Sequence, residues 1–304
     1  MTGKVLILGG HGRFGGHVAQ AFWNAGWKVA LYRRGTSLRA AAEGADVIFN
    51  GWHVPYPRWE AEMPALTERL IDAARSSGAT ILQPGNVYVF GEGAPELLGA
   101  DTPHRARNRL GRVRIEMEER LCDSGRPVIL LRAGDFLDDQ PSGNWFDKVM
   151  VRDLRKGTLT WPGNPAIPHA WAWLPDLAEA ARMLADRRAE LPRFADIPFH
   201  GFTLSGQEMA THLGHIVGRD IAIRPLRWWM LQLAQPVWGT AGGLLEMRYL
   251  WDMPHRLDPA PLATLLPEFR PTPLDEALRR ATAHLTAGTG SRTPADAAAP
   301  RRAA

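Results

Sequence analysis

A glycine-rich turn near the start of the chain has the residue types and spacing to bind phosphate. Three glycines recur every third residue between an apolar run, residues 5–8, and a helix-like segment, residues 16–25. Backbone without Cβ atoms can approach a phosphate closely, and a helix N-terminus supplies N–H donors and partial positive charge. The pattern predicts a dinucleotide site, and its alternative is a turn that holds no ligand. The residues predicted to contact the cofactor here are Gly9, Gly12, Arg13, Phe14 and Gly15.

Two arginines follow the second predicted strand, residues 27–32, and bear on the choice of dinucleotide. An acidic residue at this place would accept hydrogen bonds from a ribose 2′-hydroxyl, whereas Arg33 and Arg34 offer guanidinium donors to a 2′-phosphate. The pair favours NADP(H) over NAD(H), and the alternative is that both arginines only solvate the strand end. Asn50, which ends the third predicted strand at residues 46–50, is a further predicted cofactor contact.

Polar side chains near later strand ends are candidates for catalysis and substrate binding. Asn86 and Tyr88 could donate hydrogen bonds to a substrate oxygen, and His169 could act as an acid near neutral pH. Asp135 stands where the predicted sheet gives way to a different pattern. Each residue also has a structural interpretation: Tyr88 as a buried aromatic, His169 as a satisfied core histidine, and Asp135 as the partner of Arg132 or a turn cap.

Strands and helices alternate through the first half of the chain and would position these residues. The alternation predicts an α/β fold, a Rossmann-type doubly wound parallel sheet with helices on both faces and a smaller, mostly helical C-terminal substrate lobe. Five strand-like runs support it, at residues 5–8, 27–32, 46–50, 80–83 and 128–132. The predicted domains are an NADP-binding domain of residues 1–137 and 169–200, a substrate lobe of residues 138–168 and 201–285, and a disordered tail of residues 286–304.

Two local patterns in the second half carry structural predictions. Ser205 and Glu208 stand three residues apart before a helical run, which predicts a capping box. The apolar stretch at residues 228–245 is interrupted by two glutamines and Pro236, so it predicts buried helices of a globular domain. No apolar run reaches the length of about 18 residues that a membrane span needs, and we expect no membrane partner.

Composition bounds the remaining classes of function. The 304 residues contain a single cysteine, Cys122, which excludes an intramolecular disulfide and a cysteine metal cluster and favours a cytoplasmic protein without a metal. The net charge of +4 includes an arginine cluster at residues 105–114 that could meet an anion. Because no aromatic-interleaved basic patch accompanies it, the pattern argues against nucleic acid as a partner.

Several of these motifs resemble, in order, those of the extended short-chain dehydrogenase/reductases, also described as NAD-dependent epimerase/dehydratases. Besides the glycine turn, the similar segments are residues 84–91, 131–136, 169–178 and 203–219, and the likeness covers about residues 3–285. The resemblance implies a pyridine nucleotide cofactor and a small carbonyl or sugar-like substrate, and it leaves a homo-oligomer open.

The sequence departs from that family at the residues that do its chemistry. Typical members carry a serine and then Tyr-x-x-x-Lys, in which the tyrosine exchanges a proton and the lysine lowers its pKa. Alignment places Asn86 at the serine, Leu110 at the tyrosine and Arg114 at the lysine. Leucine cannot transfer a proton, while Arg114 keeps a charge that can bind ribose or a substrate anion. The sequence therefore predicts either an NADP(H)-dependent oxidoreductase or epimerase/dehydratase-like enzyme that uses Tyr88, Asn86 and Arg114, or a non-catalytic NADP(H)-sensing or partner-binding protein.

Overall fold

The computed structural model of the chain describes residues 3–141 and 143–286. Its last helix ends at Thr286, so that residue, predicted to begin a disordered tail, is helical. The rest of the predicted tail, residues 287–304, lies outside the described residues.

Strands alternate with helices through most of the first 132 residues, and the pattern changes after β6, as the sequence predicts. The strands are β1 Lys4–Leu8, β2 Lys28–Leu31, β3 Val47–Asn50, β4 Thr80–Gly85, β5 Leu97–Leu98, β6 Val128–Arg132, β7 Asp135–Leu137, β8 Thr158–Trp161, β9 His169–Trp173, β10 Phe194–Pro198, β11 Phe202–Leu204, β12 Ala222–Pro225 and β13 Arg256–Leu257. The helices are α1 Arg13–Asn24, α2 Leu38–Ala41, α3 Trp59–Ser77, α4 Arg109–Asp123, α5 Leu174–Asp186, α6 Gly206–Val217, α7 Trp228–Ala234, α8 Gly239–Glu246, α9 Ala260–Leu265 and α10 Leu274–Thr286.

Six strands form the central sheet in the order β2-β1-β3-β4-β6-β10, and every neighbouring pair is parallel. The prediction of a Rossmann-type α/β fold is therefore confirmed. The inner strands β1, β3 and β6 are mainly apolar because α1 and α5 bury one face of the sheet and α3 and α4 the other. The chain direction across the sheet reverses at β1, so the crevice at the carboxyl ends of β1 and β3 is the expected ligand position.

Smaller sheets and helices make up the rest of the described chain. β7, β9 and β11 form a three-stranded sheet, and β8 pairs with β12. Residues 201–285, predicted to be mostly helical, thus also contain strands. Buried tryptophans fill this part of the core, among them Trp161, Trp171 and Trp173.

The predicted capping box is confirmed at the start of α6. The hydroxyl of Ser205 accepts the Glu208 N–H at 3.2 Å, and the Glu208 carboxylate accepts the Ser205 N–H at 2.8 Å. Both groups satisfy backbone donors that the first helical turn leaves unpaired.

The prediction that residues 228–245 form buried helices is wrong for much of α7 and the segment after it. Trp228 is buried, but Trp229, Leu233 and Val237 are exposed. The cause is local: α7 has seven residues and packs through one side, so its neighbouring apolar positions face outward. Among the described residues, no helix combines the length and the hydropathy that crossing a bilayer requires.

Candidate functional site

The glycine turn is fixed by close backbone packing between β1, β3 and α1. Gly9 has a φ of +73°, and the Gly12 N–H donates a hydrogen bond to the Gly9 carbonyl oxygen at 2.8 Å, which closes the turn. A Cβ atom on Gly9 would lie 2.2 Å from the carbonyl oxygen of Gly51, and one on Gly15 would lie 2.3 Å from that of Gly9. Glycine is thus required at these two positions by the fold itself, whether or not a ligand binds.

Gly12 is less constrained by the fold than Gly9 and Gly15 are. A Cβ atom there would meet only the Gly9 carbonyl oxygen within 4 Å, at 3.1 Å, and its φ of −81° suits any residue. Gly12 caps α1, which has no acidic residue in its first turn and no side-chain capping bond among the described residues. The first N–H groups of a helix have no intrahelical acceptor, so this end suits an anion. The Phe14 ring packs on Phe49 with centroids 5.1 Å apart, so only the backbone of Phe14 is available to a ligand at this turn.

Positive charge gathers at the same edge of the sheet. The pKa of His53 is lowered by burial and then by the charges of Arg13 and Arg34, so these side chains lie within electrostatic reach of one another. Arg13 also donates to the Gly143 carbonyl at 2.7 Å, which ties the turn to the segment after β7. Arg33 and Arg34 are exposed. The field at the carboxyl ends of β1, β2 and β3 therefore favours an anionic ligand.

An open cleft of about 440 Å³ lies beyond these arginines, between the loop after β2 and helix α3. Its lining contains both positive and negative side chains, so the charge of the cleft does not favour a phosphate over a ribose hydroxyl. The lining residues are Thr36, Ser37, Leu38, Arg39, Glu68, Arg69 and Asp72.

Asn50, at the end of β3, has an unsatisfied acceptor. Its side-chain nitrogen donates to Gln83 Oε1 at 2.7 Å, while its Oδ1 is buried without a partner among the described residues. A buried amide oxygen without a donor is costly, and a ligand N–H or O–H would remove that cost. The glycine turn, the arginines and Asn50 together fit a dinucleotide.

Two tyrosine hydroxyls meet at the carboxyl ends of the neighbouring strands. Tyr56 lies in the short 3-10 helix Tyr56–Arg58 after β3, Tyr88 begins the 3-10 helix Tyr88–Phe90 after β4, and their oxygens are 2.8 Å apart. Burial raises the pKa of both hydroxyls, Asp135 raises it further, and the nearby charge of Arg114 lowers it. Both groups are therefore protonated at neutral pH and can donate a hydrogen bond or a proton.

Sequence reasoning found Tyr88 and missed Tyr56. Tyr56 stands between two prolines in a segment without strand or helix periodicity, and no motif includes it. One signal was available: it lies six residues after the end of a buried strand, where parallel sheets place ligand-binding side chains.

A buried ion-pair network holds Arg114 beside the tyrosines. Arg114 donates to the Pro84 carbonyl at 2.6 Å and lies 3.7 Å from Glu118, while its Nε has no partner among the described residues. Glu118 pairs with Arg132 at 2.8 Å, and Arg132 pairs with Asp196 at 2.5 Å. Burial lowers the pKa of Arg114, and Glu118 opposes that shift. Arg132 is thus structural and not a substrate residue.

The remaining predicted site residues are held by their own neighbours. The Oδ1 atom of Asn86 accepts the Tyr88 N–H at 3.1 Å, and its carbonyl accepts from Arg132 at 2.6 Å. His169 donates to Asp135 at 2.7 Å and stacks on Trp251 with centroids 4.0 Å apart. The structural interpretation of Asp135 as the partner of Arg132 is therefore wrong: Asp135 accepts a hydrogen bond from His169, and the carboxylates that pair with Arg132 are those of Glu118 and Asp196.

Leu110 occupies the position at which the family carries its tyrosine, and it is fully buried in the hydrophobic core. Its N–H donates to the Glu246 carboxylate at 2.5 Å, which links α4 to α8. The tyrosine of the usual relay therefore has no counterpart at this place.

Comparison with known proteins finds solved structures of similar fold, but no match by sequence. No family model and no curated protein matches the chain. MoeE5, solved with UDP-glucose and NAD, is similar at a TM-score of 0.72 and 17% identity, covering 94% of this chain and 99% of that chain. UDP-glucose 4-epimerase from Brucella ovis, solved with NAD, is similar at a TM-score of 0.70 and 19% identity, covering 93% and 98%. TunA, an NAD-dependent NDP-hexosamine 5,6-dehydratase, is similar at a TM-score of 0.70 and 17% identity, covering 94% of this chain and 98% of that chain.

These identities are low, so the likeness concerns architecture. It extends over almost the whole length of each of these structures. The resemblance seen in the sequence is thereby confirmed at the level of the fold: the chain has the Rossmann-type architecture of the NAD-dependent sugar epimerases and dehydratases, which are extended short-chain dehydrogenase/reductases.

Proposed function

We propose that this protein is a pyridine-nucleotide-dependent oxidoreductase that reduces a carbonyl group on a small, sugar-like substrate. The observation that carries the proposal is the hydroxyl pair of Tyr56 and Tyr88, 2.8 Å apart, at the same sheet edge as the glycine turn. A dinucleotide site and a proton donor at one edge are the two requirements of hydride transfer to a carbonyl.

The cofactor would be held by groups whose geometry suits it. The first turn of α1, from Gly12 onward, would receive the pyrophosphate, with the charge of Arg13 close by. The buried Oδ1 of Asn50 would accept a hydrogen bond from a hydroxyl or amide of the cofactor. When bound, the reduced nicotinamide supplies the hydride.

Tyr56 is the better proton donor of the pair. Burial raises the pKa of both hydroxyls, and it raises that of Tyr88 further than that of Tyr56. Tyr56 can therefore give its proton to a carbonyl oxygen while Tyr88 stabilises the phenolate that remains. The charge of Arg114 favours the same phenolate. The role that the sequence assigns to Tyr88 is thus one of support in this proposal.

The raised pKa values also favour one direction of reaction. A tyrosine that stays protonated at neutral pH is an acid, and it is poorly suited to remove a proton from an alcohol. Carbonyl reduction is consequently favoured over an epimerisation that begins by oxidation. The solved structures of similar fold act on or bind nucleotide-linked sugars, as their names state, so a keto-sugar is the substrate class to test first.

The preference for NADP(H) remains part of the proposal. It is supported by Arg33 and Arg34, which are exposed at the end of β2 without an acidic residue beside them. The similar structures were solved with NAD, so the two arginines are the feature by which this chain would differ.

Calorimetric titration followed by turnover assays tests the proposal. We expect NADPH to bind, and keto-sugars from a panel to be reduced with oxidation of NADPH. Tyr56→Phe should lower turnover by about 10²–10⁴-fold without changing the NADPH affinity. Tyr249→Phe is the matched control, because the Tyr249 hydroxyl is buried and has no hydrogen-bond partner in the described part of the chain. Full turnover by Tyr56→Phe would contradict the assignment.

A non-catalytic NADP(H) sensor is the second candidate, favoured by the burial of Leu110 at the usual tyrosine position. A sensor would bind NADPH tightly and would oxidise it with no member of the panel. Its cofactor affinity would be the same in Tyr56→Phe and wild type. Turnover that depends on Tyr56 excludes this candidate.

A further inference from the structure

An exposed apolar surface covers α7 and the segment that joins it to α8. Eight large apolar side chains are exposed among the described residues, and five of them lie within residues 229–238. Their exposed fractions run from 47% for Trp238 to 90% for Val237. We name this surface the α7–α8 face; its members are Trp229, Met230, Leu233, Val237 and Trp238. Contiguous exposed apolar surface of this kind marks an interaction site.

The face is fixed to the body of the protein by the side chain next to it. Trp228 is buried, donates from its indole nitrogen to the Pro162 carbonyl at 2.5 Å, and stacks on Trp145. α8 packs on the 3-10 helix of Tyr56: a Cβ atom on Gly243 would lie 2.4 Å from the Tyr56 ring. The apolar side chains are therefore presented by an anchored element close to the proposed catalytic tyrosine.

The charged side chains within and next to the face in sequence are arginines, and the acidic residues Asp220 and Glu246 lie beyond them on either side. Residues 221–245 contain no acidic residue, and Arg224 and Arg227 are exposed with no ion-pair partner among the described residues. Arg248, also exposed, lies over the Trp228 ring at 5.4 Å from its centroid, within the range of a cation–π contact. The α7–α8 face, which is apolar and bordered by arginines, is complementary to a surface with anionic groups outside and apolar groups beneath.

We propose that the α7–α8 face attaches the protein to the surface of an anionic lipid bilayer, with the apolar side chains in the headgroup region and the arginines on the lipid phosphates. Tryptophan is favoured at the boundary between headgroups and acyl chains, and arginine next to it adds electrostatic attraction. α7 has seven residues and α8 eight, so the element lies on the bilayer and does not span it. This reverses the expectation from sequence that no membrane partner exists.

A second copy of the chain fits the face less well. A two-fold contact brings the same patch of each subunit together, so Arg227 of one copy would approach the arginines of the other. No carboxylate within residues 221–245 is present to offset that repulsion. Lipid phosphates, in contrast, offset the charge of all three arginines.

Vesicle co-sedimentation of the full chain tests the proposal. We expect binding to vesicles of phosphatidylcholine with phosphatidylglycerol, at least tenfold weaker binding to phosphatidylcholine alone, and weakening by salt. The triple variant Trp229→Ser/Leu233→Ser/Val237→Ser should lose binding while keeping its circular dichroism and melting temperature. Trp23→Ser is the control, since Trp23 is 67% exposed on α1, outside the face.

Two outcomes would overturn the proposal. The first is no sedimentation with anionic vesicles, or sedimentation that the triple variant retains. The second is a wild-type dimer in analytical ultracentrifugation that the triple variant dissociates, with no vesicle binding, which would assign the face to a second copy.

Discussion

The variant Gly12→Ala tests whether Gly12 serves ligand binding, in contrast to the structural glycines beside it. A Cβ atom at Gly12 meets only one protein atom, the Gly9 carbonyl oxygen at 3.1 Å, so we expect a folded variant. Alanine is a poorer N-cap than glycine by several tenths of a kcal/mol, and the lower entropy of its unfolded chain returns about 0.4–1 kcal/mol. The free energy of unfolding should change by less than about 1 kcal/mol.

The same methyl group stands where a phosphate would approach the first turn of α1. Losing one charge-assisted hydrogen bond costs about 1.5–3 kcal/mol, and each 1.4 kcal/mol is about tenfold in affinity. Gly12→Ala should therefore weaken NADPH binding about 10–100-fold in calorimetric titration, while its thermal melting stays within a few degrees of wild type.

Two neighbouring glycines are matched controls. A Cβ atom on Gly15 would lie 2.3 Å from the Gly9 carbonyl oxygen, so Gly15→Ala should destabilise the fold by about 1–3 kcal/mol or more. One on Gly16 would meet only the Gly10 carbonyl oxygen, at 3.6 Å, so Gly16→Ala should stabilise α1 by about 0.5–1 kcal/mol and leave affinity unchanged. Wild-type NADPH affinity in Gly12→Ala would refute the assignment of the turn to the cofactor.

Three further predictions concern the arginines, the ion-pair network and pH. The double variant Arg33→Ala/Arg34→Ala should lower NADPH affinity about tenfold and leave NADH affinity unchanged, as calorimetry would show. Glu118→Ala should lower the free energy of unfolding by about 3–5 kcal/mol in urea titrations, because it leaves the buried Arg132 charge without one partner. The rate of carbonyl reduction at saturating NADPH should stay constant from about pH 6 to about pH 9, because burial raises the pKa of Tyr56 above its usual value of 10.0 and the acid keeps its proton.

Each of these predictions has a control or a contradicting outcome. Arg75→Ala, which removes an exposed arginine of α3, should not affect NADPH binding. Glu68→Ala removes the carboxylate of an exposed pair with Arg120 and should leave the urea transition unchanged. A reduction rate that falls through pH 8 would indicate an acid that loses its proton near that pH, which is not Tyr56.

Much of the nucleotide-binding half could be predicted from sequence because its signals are local. Five of the six central strands appear in the sequence as mainly apolar runs, and the glycine spacing marks the first turn. Boundaries were less exact: α1 begins at Arg13, three residues before the predicted start, because the turn at Gly9 closes within four residues.

The catalytic candidates depended on contacts that no local pattern contains. Tyr56 and Tyr88 are 32 residues apart and meet because β3 and β4 are neighbours in the sheet. Arg132 looked like a partner of Asp135 three residues away, but its partners Glu118 and Asp196 come from α4 and β10. Such pairings follow from strand order, which the sequence suggests only in outline.

At the α7–α8 face the sequence predicts burial, and the structure shows exposed side chains. Hydropathy indicates burial, but it does not say whether another element will cover the residue. Trp228 and Trp229 have the same side chain and adjacent positions, and only Trp228 finds a place in the core. Whether another element covers a face depends on tertiary packing, which the composition of a short helix does not determine.

A single-turnover experiment with NADPH deuterated at the transferred position of the nicotinamide tests the central claim most directly. Wild type should transfer deuterium to the carbonyl carbon of a keto-sugar, and Tyr56→Phe should do so about 10²–10⁴-fold more slowly with unchanged NADPH affinity. Transfer by Tyr56→Phe at the wild-type rate, or no transfer by wild type to any keto-sugar despite tight binding of NADPH, would contradict the account.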